Sequence, residues 1–180
     1  MLEDEQKLVV EAKGGKTEAF GQLYDYYLPM IYRFILIKIG HREEAEDLTH
    51  QVFLKAWQNI SSYTEQGFPF SSWLYRIARN SIIDHYRKSK PSINIDKLAN
   101  IEELTFRPNI KKLDDKKNIA KVMKCLDDLK DMEKDVVILR FIEEMSVKET
   151  AESIGKTEGA TKVIQHRALK KLKDILGQEE

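Results

Sequence analysis

Between Thr17 and Ile39 the apolar residues Phe20, Leu23, Tyr24, Tyr27, Ile31, Phe34, Ile35 and Ile39 recur at intervals of three and four. That is the period of a helix that buries one side. Thr17 is placed to cap it, Pro29 to kink it and Gly40 to stop it. Ahead of it, a helix over about 3–13 carries Leu2, Val9 and Val10 as its apolar positions and ends at Gly14-Gly15. Behind it, residues 41–60 bury Ala45, Leu48, Val52, Phe53, Ala56 and Trp57, with acids in the first turns, where the positive end of the helix dipole favours them. A loop, 61–69, shows turn chemistry at Gly67 and Pro69. Then comes a fourth helix in which Trp73, Ile77 and the pairs Leu74/Ala78 and Ile82/His85 form the packing side, with Ser71 or Ser72 as cap.

The helical period is lost over 89–112, a stretch that holds Pro91 and Pro108 and reads as a linker. Ile93, Ile95, Leu98, Ile101, Leu104 and Phe106 make it more apolar than a free tether, so it is expected to lie in a groove of a partner. The period resumes from Asp114 with Ile119, Val122, Met123, Leu126 and Leu129 on one face, followed by a helix over Met132–Glu143 carrying Val136, Val137, Leu139 and Phe141. Ser146 with Glu149 is a capping box opening a short helix over Val147–Ile154, which Gly155 ends, and Thr157 caps the next helix. Two helices with so short a turn have the proportions of a helix-turn-helix. The expected fold is all-α: two small helical domains, 1–90 and 114–180, joined by a linker over 91–113, the second containing the helix-turn-helix.

At 180 residues and 42% apolar, the chain can bury one ordinary core or two small ones. Thirty basic residues balance thirty acidic ones, which excludes a globally basic protein but leaves room for local patches. The single cysteine, Cys125, excludes an internal disulfide and a cysteine zinc site, and fits a reducing cytosol with Cys125 as core filler. The acidic, amphipathic start lacks the features of a signal peptide. The most apolar run, Leu28–Ile39, is broken by Pro29, Arg33 and Lys38 and is too short to span a bilayer. A cytoplasmic location is expected.

One patch stands out. From Arg76 to Lys90 the fourth helix holds five Lys or Arg and one Asp, a local +4 in a chain of zero net charge. Aromatics accompany these bases, and unpaired bases of nucleic acid stack on aromatic faces at roughly 1–3 kcal/mol each while Lys and Arg follow the phosphates. Trp73 at its helical spacing suits the core as well as a stacking platform, and the loop rings Tyr63 and Phe68, exposed by their position, could equally fold over the core. On the third helix Glu43, Glu46, Asp47, His50, Gln51 and Lys55 form a polar, acidic strip fit to dock on a basic partner. Asp47-x-x-His50 is half of a carboxylate-histidine metal motif, but no other helix supplies a matching pair, so no metal, cofactor or catalytic residue is assigned. On the last helix Thr161, Ile164, Ala168, Leu172 and Ile175 line one side and Lys162, Val163, His166, Arg167, Lys170 and Lys173 the other. A basic outer face whose early residues reach base edges suits the major groove; a solvated lysine-rich face would look alike.

Taken in order, Ala19-Phe20 with Leu23-Tyr24, AEDLTHQVFLKAW (45–57), F-x-x-WLYRIARN-x-x-x-D-x-x-R (70–87) and SVKETAESIGKTEGATKVIQHRALKKL (146–172) resemble the bacterial RNA polymerase sigma factors of the extracytoplasmic-function group. The resemblance covers both family domains. It implies a dissociable promoter-specificity subunit, not an enzyme and without a small-molecule substrate, that binds core polymerase at the clamp helices of the largest subunit and at the flap, binds promoter DNA, and is held by an anti-sigma factor. It assigns the strip Glu43, Glu46, Asp47, His50, Gln51 and Lys55 to core polymerase. It assigns Tyr63, Phe68, Arg76, Arg79, Asn80, Asp84, Arg87 and Lys88 to opening the −10 element, with Asn80 at a base-reading position. Lys162, Val163, His166, Arg167 and Lys170 fall on the face that meets the −35 element. His50 stands where many relatives have Gln, Val163 where a small polar residue is common, and Thr161 replaces a usual Val, a change expected to be nearly neutral if its hydroxyl bonds to the preceding turn. The competing reading of the same residues is a stand-alone helix-turn-helix regulator binding duplex DNA as a dimer, with 1–90 as a sensing or dimerising domain.

Overall fold

The computed structural model describes residues 4–64, 67–88 and 124–177; the expected linker over 91–113, its groove, and the positions Leu2, Ile119, Val122 and Met123 lie outside them. The described elements are helices, with no strand among them. The chain divides into two compact units, Met1–Lys97 and Leu98–Glu180.

In the first unit α1 (Glu5–Lys13), α2 (Thr17–Ile39), α3 (Arg42–Asn59) and α4 (Phe70–Lys88) pack in chain order, with α2 also against α4. Their shared core holds Leu23, Ile31, Phe34, Ile35, Val52 and Leu74, all fully buried, as the helical period requires. Tyr24 meets Phe53 edge-on, and Phe20 tilts against Trp57, so α2 and α3 are joined by aromatic pairs outside the aliphatic centre. Gly40 ends α2 in the left-handed conformation, φ 77°, its N–H bonded to the Leu36 carbonyl at 2.8 Å. Pro29 lies inside α2, on its exposed side. Two expectations change. Thr17 is the first residue of α2 rather than its cap, and Lys16 holds the cap position without a side-chain bond. Val10 is turned out, 68% exposed, while its neighbours Leu8 and Val9 supply the buried positions of α1.

The start of α4 departs most from expectation. Neither Ser71 nor Ser72 caps it, because the helix already begins at Phe70. The Phe70 N–H instead donates to Glu5 Oε1 at 3.0 Å, and Glu5 Oε2 accepts from the Tyr27 hydroxyl. A buried carboxylate at the positive end of α4 satisfies one of the donors that every helix start leaves open. Burial, and next the bond to Glu5, push the Tyr27 hydroxyl far above its ordinary pKa. A group whose folded pKa is raised contributes stability below its unfolded value of about 10 and loses that contribution as pH rises beyond it. Tyr27→Phe is therefore expected to make stability fall less steeply above pH ~10, by up to about 1.4 kcal/mol per pH unit. Urea titrations of both proteins at pH 9 to 11 measure this; equal slopes would show that Tyr27 ionises freely.

In the second unit residues 124–127 are helical and are followed by α5 (Asp131–Val137), a π-helical turn (Ile138–Ile142), α6 (Val147–Ile154) and α7 (Glu158–Gly177). Leu126, Val136, Ile138, Leu139 and Ala168 are its core; Cys125 is buried there too, as a free thiol. The capping box forms as expected: Glu149 N–H donates to Ser146 Oγ at 3.1 Å, and Ser146 N–H to Glu149 Oε2 at 2.6 Å. Gly155 closes α6 at φ 65°. The expected helix over Met132–Glu143 is not uniform. Its last turn widens, with Glu143 N–H bonded to the Ile138 carbonyl at 2.9 Å. The widening rotates Phe141, counted above among apolar positions, to half exposure. The Arg140 side chain donates to the Met145 carbonyl and, at 3.0 Å, to Gln165 Oε1 of α7. Glu133 accepts from Lys171 of α7 at 2.7 Å and from Lys130 N–H at 3.1 Å; burial alone would raise its pKa, but these bonds hold it below the ordinary carboxylate value. Two polar links thus fix α7 against α5 and its π turn.

Candidate nucleic-acid interfaces

On α7 the outward face is intact. Lys162, Val163, His166, Arg167 and Lys170 are all exposed, while Thr161 and Ala168 are buried beneath them. Thr157 caps the helix through a bond from Ala160 N–H at 3.2 Å, and the Thr161 hydroxyl donates to the Thr157 carbonyl at 3.0 Å, the arrangement under which replacing Val costs little. Val163, half exposed, gives this basic face one apolar tip at the level of its first turns.

On α4 the side chains divide differently. Asn80, Arg87 and Lys88 are exposed, and Arg76, Arg79 and Asp84 half-buried. Arg87 pairs with Asp84 at 3.2 Å, an exposed contact of little energetic weight that sets where the guanidinium stands. His85 joins α3 through Glu44 at 3.0 Å, and the Tyr86 hydroxyl donates to the Lys38 carbonyl of α2 at 2.9 Å. The far end of α4 is thereby fastened to two other helices. Ile83 and Tyr86 place two half-exposed apolar side chains among these bases.

The loop before α4 separates its two rings. Tyr63 is only 8% exposed, packed edge-on against Phe70 and tilted against Trp73. Its hydroxyl donates to the Phe68 carbonyl at 3.1 Å. Phe68 and Trp73 are half-buried. Tyr63 is thus an internal support of the loop and presents no open ring face: it joins Phe70 and Trp73 in the aromatic cluster at the start of α4.

On α3, Glu43, Asp47, His50 and Gln51 are exposed and Glu46 half-buried. Glu46 pairs with Arg42 at 2.8 Å. Lys55 turns toward α4 and donates to Ser81 Oγ at 3.0 Å, so it braces the helix pair as well as bordering the strip. Asp47 and His50 point outward rather than into the bundle, and among the described residues no three His, Cys, Asp or Glu cluster as metal ligands would. Sequence reasoning missed what borders the strip. Leu54 is 56% exposed, and with Phe20, Tyr24, Phe53, Trp57 and His50 it lines an open, largely apolar cavity of about 320 Å³ between α2 and α3. The signal was present, since Leu54 lies one turn beyond His50 on the polar side of the wheel.

Residues 23–91 match the Sigma-70 region 2 family and residues 125–174 the Sigma-70, region 4 family. The chain is 37% identical over 172 residues to the ECF RNA polymerase sigma factor BldN of Streptomyces coelicolor, covering 94% of this chain and 65% of that protein. It is 32% identical over 184 residues to the ECF RNA polymerase sigma factor SigW of Bacillus subtilis, covering 95% and 96%. The chain therefore spans just under two thirds of the first relative and nearly all of the second. Among solved structures it is similar to CnrH, in complex with the cytosolic domain of CnrY, with a TM-score of 0.71 and 25% identity over 99% of this chain and 100% of that one. RpoE from Bartonella quintana, in complex with the anti-sigma factor NepR, matches in fold with a TM-score of 0.68 and 23% identity over 91% and 100%. Among the described residues no helix is long and apolar enough to cross a membrane.

Proposed function

The chain belongs to the extracytoplasmic-function group of RNA polymerase sigma factors, and from that premise we propose that its two units divide promoter recognition, the second holding duplex −35 DNA and the first opening the −10 element. The observation that carries this reading is the separation of two basic faces, on α4 and α7, onto units that each match a different sigma region. A match to region 2 over 23–91 takes the place of the sensing or dimerising domain that a stand-alone regulator would need there.

Lys162, Val163, His166, Arg167 and Lys170 meet the major groove, the cations on phosphates and base edges, Val163 against a thymine methyl. Phe68, Arg76, Arg79, Asn80, Asp84, Arg87 and Lys88 face the −10 element, with Tyr63 shaping the loop from inside. Opening the duplex needs no covalent step: extruding a base costs a few kcal/mol, and stacking with pocket contacts recovers it. Core polymerase docks on the strip Glu43, Glu46, Asp47, His50, Gln51 and Lys55 at its clamp helices, and Leu54 with the neighbouring apolar cavity takes side chains of the same partner; the flap meets the second unit. The protein works in the cytoplasm beside polymerase, without cofactor. An anti-sigma factor competes for these faces, as NepR is the anti-sigma factor bound to RpoE.

Runoff transcription with purified core polymerase on fragmented genomic DNA tests the proposal. Specific transcripts that appear only when both proteins are present support it, and duplex binding without initiation would overturn it. Within the second unit, Lys170→Ala is expected to weaken binding to all duplexes evenly and to lower the slope of log affinity against log salt by about 1. An unchanged slope in a fluorescence-anisotropy salt series would remove Lys170 from the phosphate contacts.

A further inference from the structure

The helix α1 precedes the region 2 match, which begins at residue 23, yet it touches both ends of the loop in front of α4. Lys13, its last residue, donates from Nζ to the Tyr63 carbonyl at 2.7 Å. Glu5, its first, accepts the Phe70 N–H at 3.0 Å, immediately after the loop closes at Pro69. Nine residues of helix place these two side chains about 12 Å apart along the axis, so a single rigid rod grips the loop where it starts and where it stops. Within that grip the Tyr63 hydroxyl reaches the Phe68 carbonyl at 3.1 Å, and Tyr27 fixes the second oxygen of Glu5.

We infer that α1 is a clasp that fixes the two ends of the loop in front of α4, at Tyr63 and at Phe70, with Glu5 and Lys13 as positioning residues for capture of an unpaired −10 base. The inference rests on the −10 reading given above. The two residues act through the backbone of the loop and α4 rather than by touching DNA. Leu8, Val9 and Ala12 already account for what α1 adds to the core. Lys13 is exposed, so burial does not explain it; its bond to the loop carbonyl is the function the structure assigns. A pocket for a splayed base tolerates little displacement of its walls, because binding energy recovered there depends on geometry held in advance.

The test uses holoenzyme reconstituted from core polymerase and full-length protein, with a promoter obtained by runoff transcription. Three affinities are measured: for a fluorescent single-stranded oligonucleotide carrying the non-template −10 sequence, for a duplex carrying only the −35 element, and for core polymerase. Lys13→Met is expected to weaken the single-stranded complex about tenfold and to leave the other two within about twofold. Lys13→Arg, which can donate to the same carbonyl, should restore it. Glu5→Gln, which cannot accept both bonds as a carboxylate does, should act in the same direction; should it unfold the first unit, seen by tryptophan fluorescence, the exposed Lys13 pair decides alone. Asn80→Ala runs in parallel. If Asn80→Ala weakens the single-stranded complex and Lys13→Met does not, the clasp is wrong and the −10 reading stands. If neither weakens it, the −10 reading fails and takes the clasp with it.

Discussion

Phe34→Ala is expected to lower the stability of the first unit by about 3–5 kcal/mol and to leave the second unit where it is. Phe34 is fully buried on α2, its ring edge-on to Tyr75 of α4 at a centroid distance of 5.4 Å. Truncation opens a cavity between α2 and α4, the helix proposed to face the −10 element. Such a loss is a large share of the stability of a small domain. Both tryptophans, Trp57 and Trp73, lie in the first unit, so fluorescence follows that unit alone, whereas far-ultraviolet circular dichroism follows both. The fluorescence transition should move to lower urea, and the dichroism curve should separate into two steps, the later at the wild-type position. A single dichroism transition displaced as a whole would show that the units unfold together and that the core of the first supports the second. The same variant should keep its affinity for −35 duplex.

The helices that could be read from the sequence are those whose information is local. Leu23, Tyr27, Ile31 and Phe34 announce α2 by spacing alone, and Ser146 with Glu149 announces α6 because both partners of the capping box lie within four residues. The start of α4 is the opposite case. Ser71 and Ser72 carry the composition of a cap, but the acceptor for the Phe70 N–H is a carboxylate 65 residues upstream, which no local pattern can nominate. Once Glu5 occupies that place, the helix begins earlier and Ser72 is carried into the interior, where it is 1% exposed. The π turn was hidden for a related reason. One extra residue in a turn leaves Val136, Leu139 and Phe141 apolar in the sequence, yet shifts which of them faces inward.

The site was legible to a different degree on each unit. The α7 face follows from a helical wheel because that helix lies on the surface with a single buried side, marked by Thr161 and Ala168. Aromatics near α4 obey no such rule. A ring in a loop has no period, so Tyr63 looked like Phe68 until packing separated them: Tyr63 closes a cluster with Phe70 and Trp73 and bonds to the Phe68 carbonyl. Lys55 likewise sits among the charges of the α3 strip on the wheel, but its reach of four methylenes lets it turn to Ser81 of α4. Leu54 was overlooked because an apolar residue on a polar strip reads as noise unless the cavity beside it is known.

Asn80→Ala is expected to reduce initiation from fully paired promoters by about 5- to 150-fold, the range that follows if a side-chain amide reading a base edge is worth roughly 1–3 kcal/mol. Asn80 is exposed, one turn from both Arg76 and Asp84, and so stands between positive charge that can hold a phosphate and an acid that can direct a neighbouring guanidinium. An amide there has no structural duty to lose, which separates this variant from Phe34→Ala: its unfolding curves should overlay the wild type. What it should lose is the capture of a base already out of the stack. Templates mismatched across the −10 element supply the melting in advance, so the variant should recover on them relative to paired templates, each compared with wild type, and retain a deficit set by the missing contact alone. If the variant gains nothing from pre-melting, Asn80 acts before the strands part, in docking to polymerase or to duplex, and the loop in front of α4 captures bases without it.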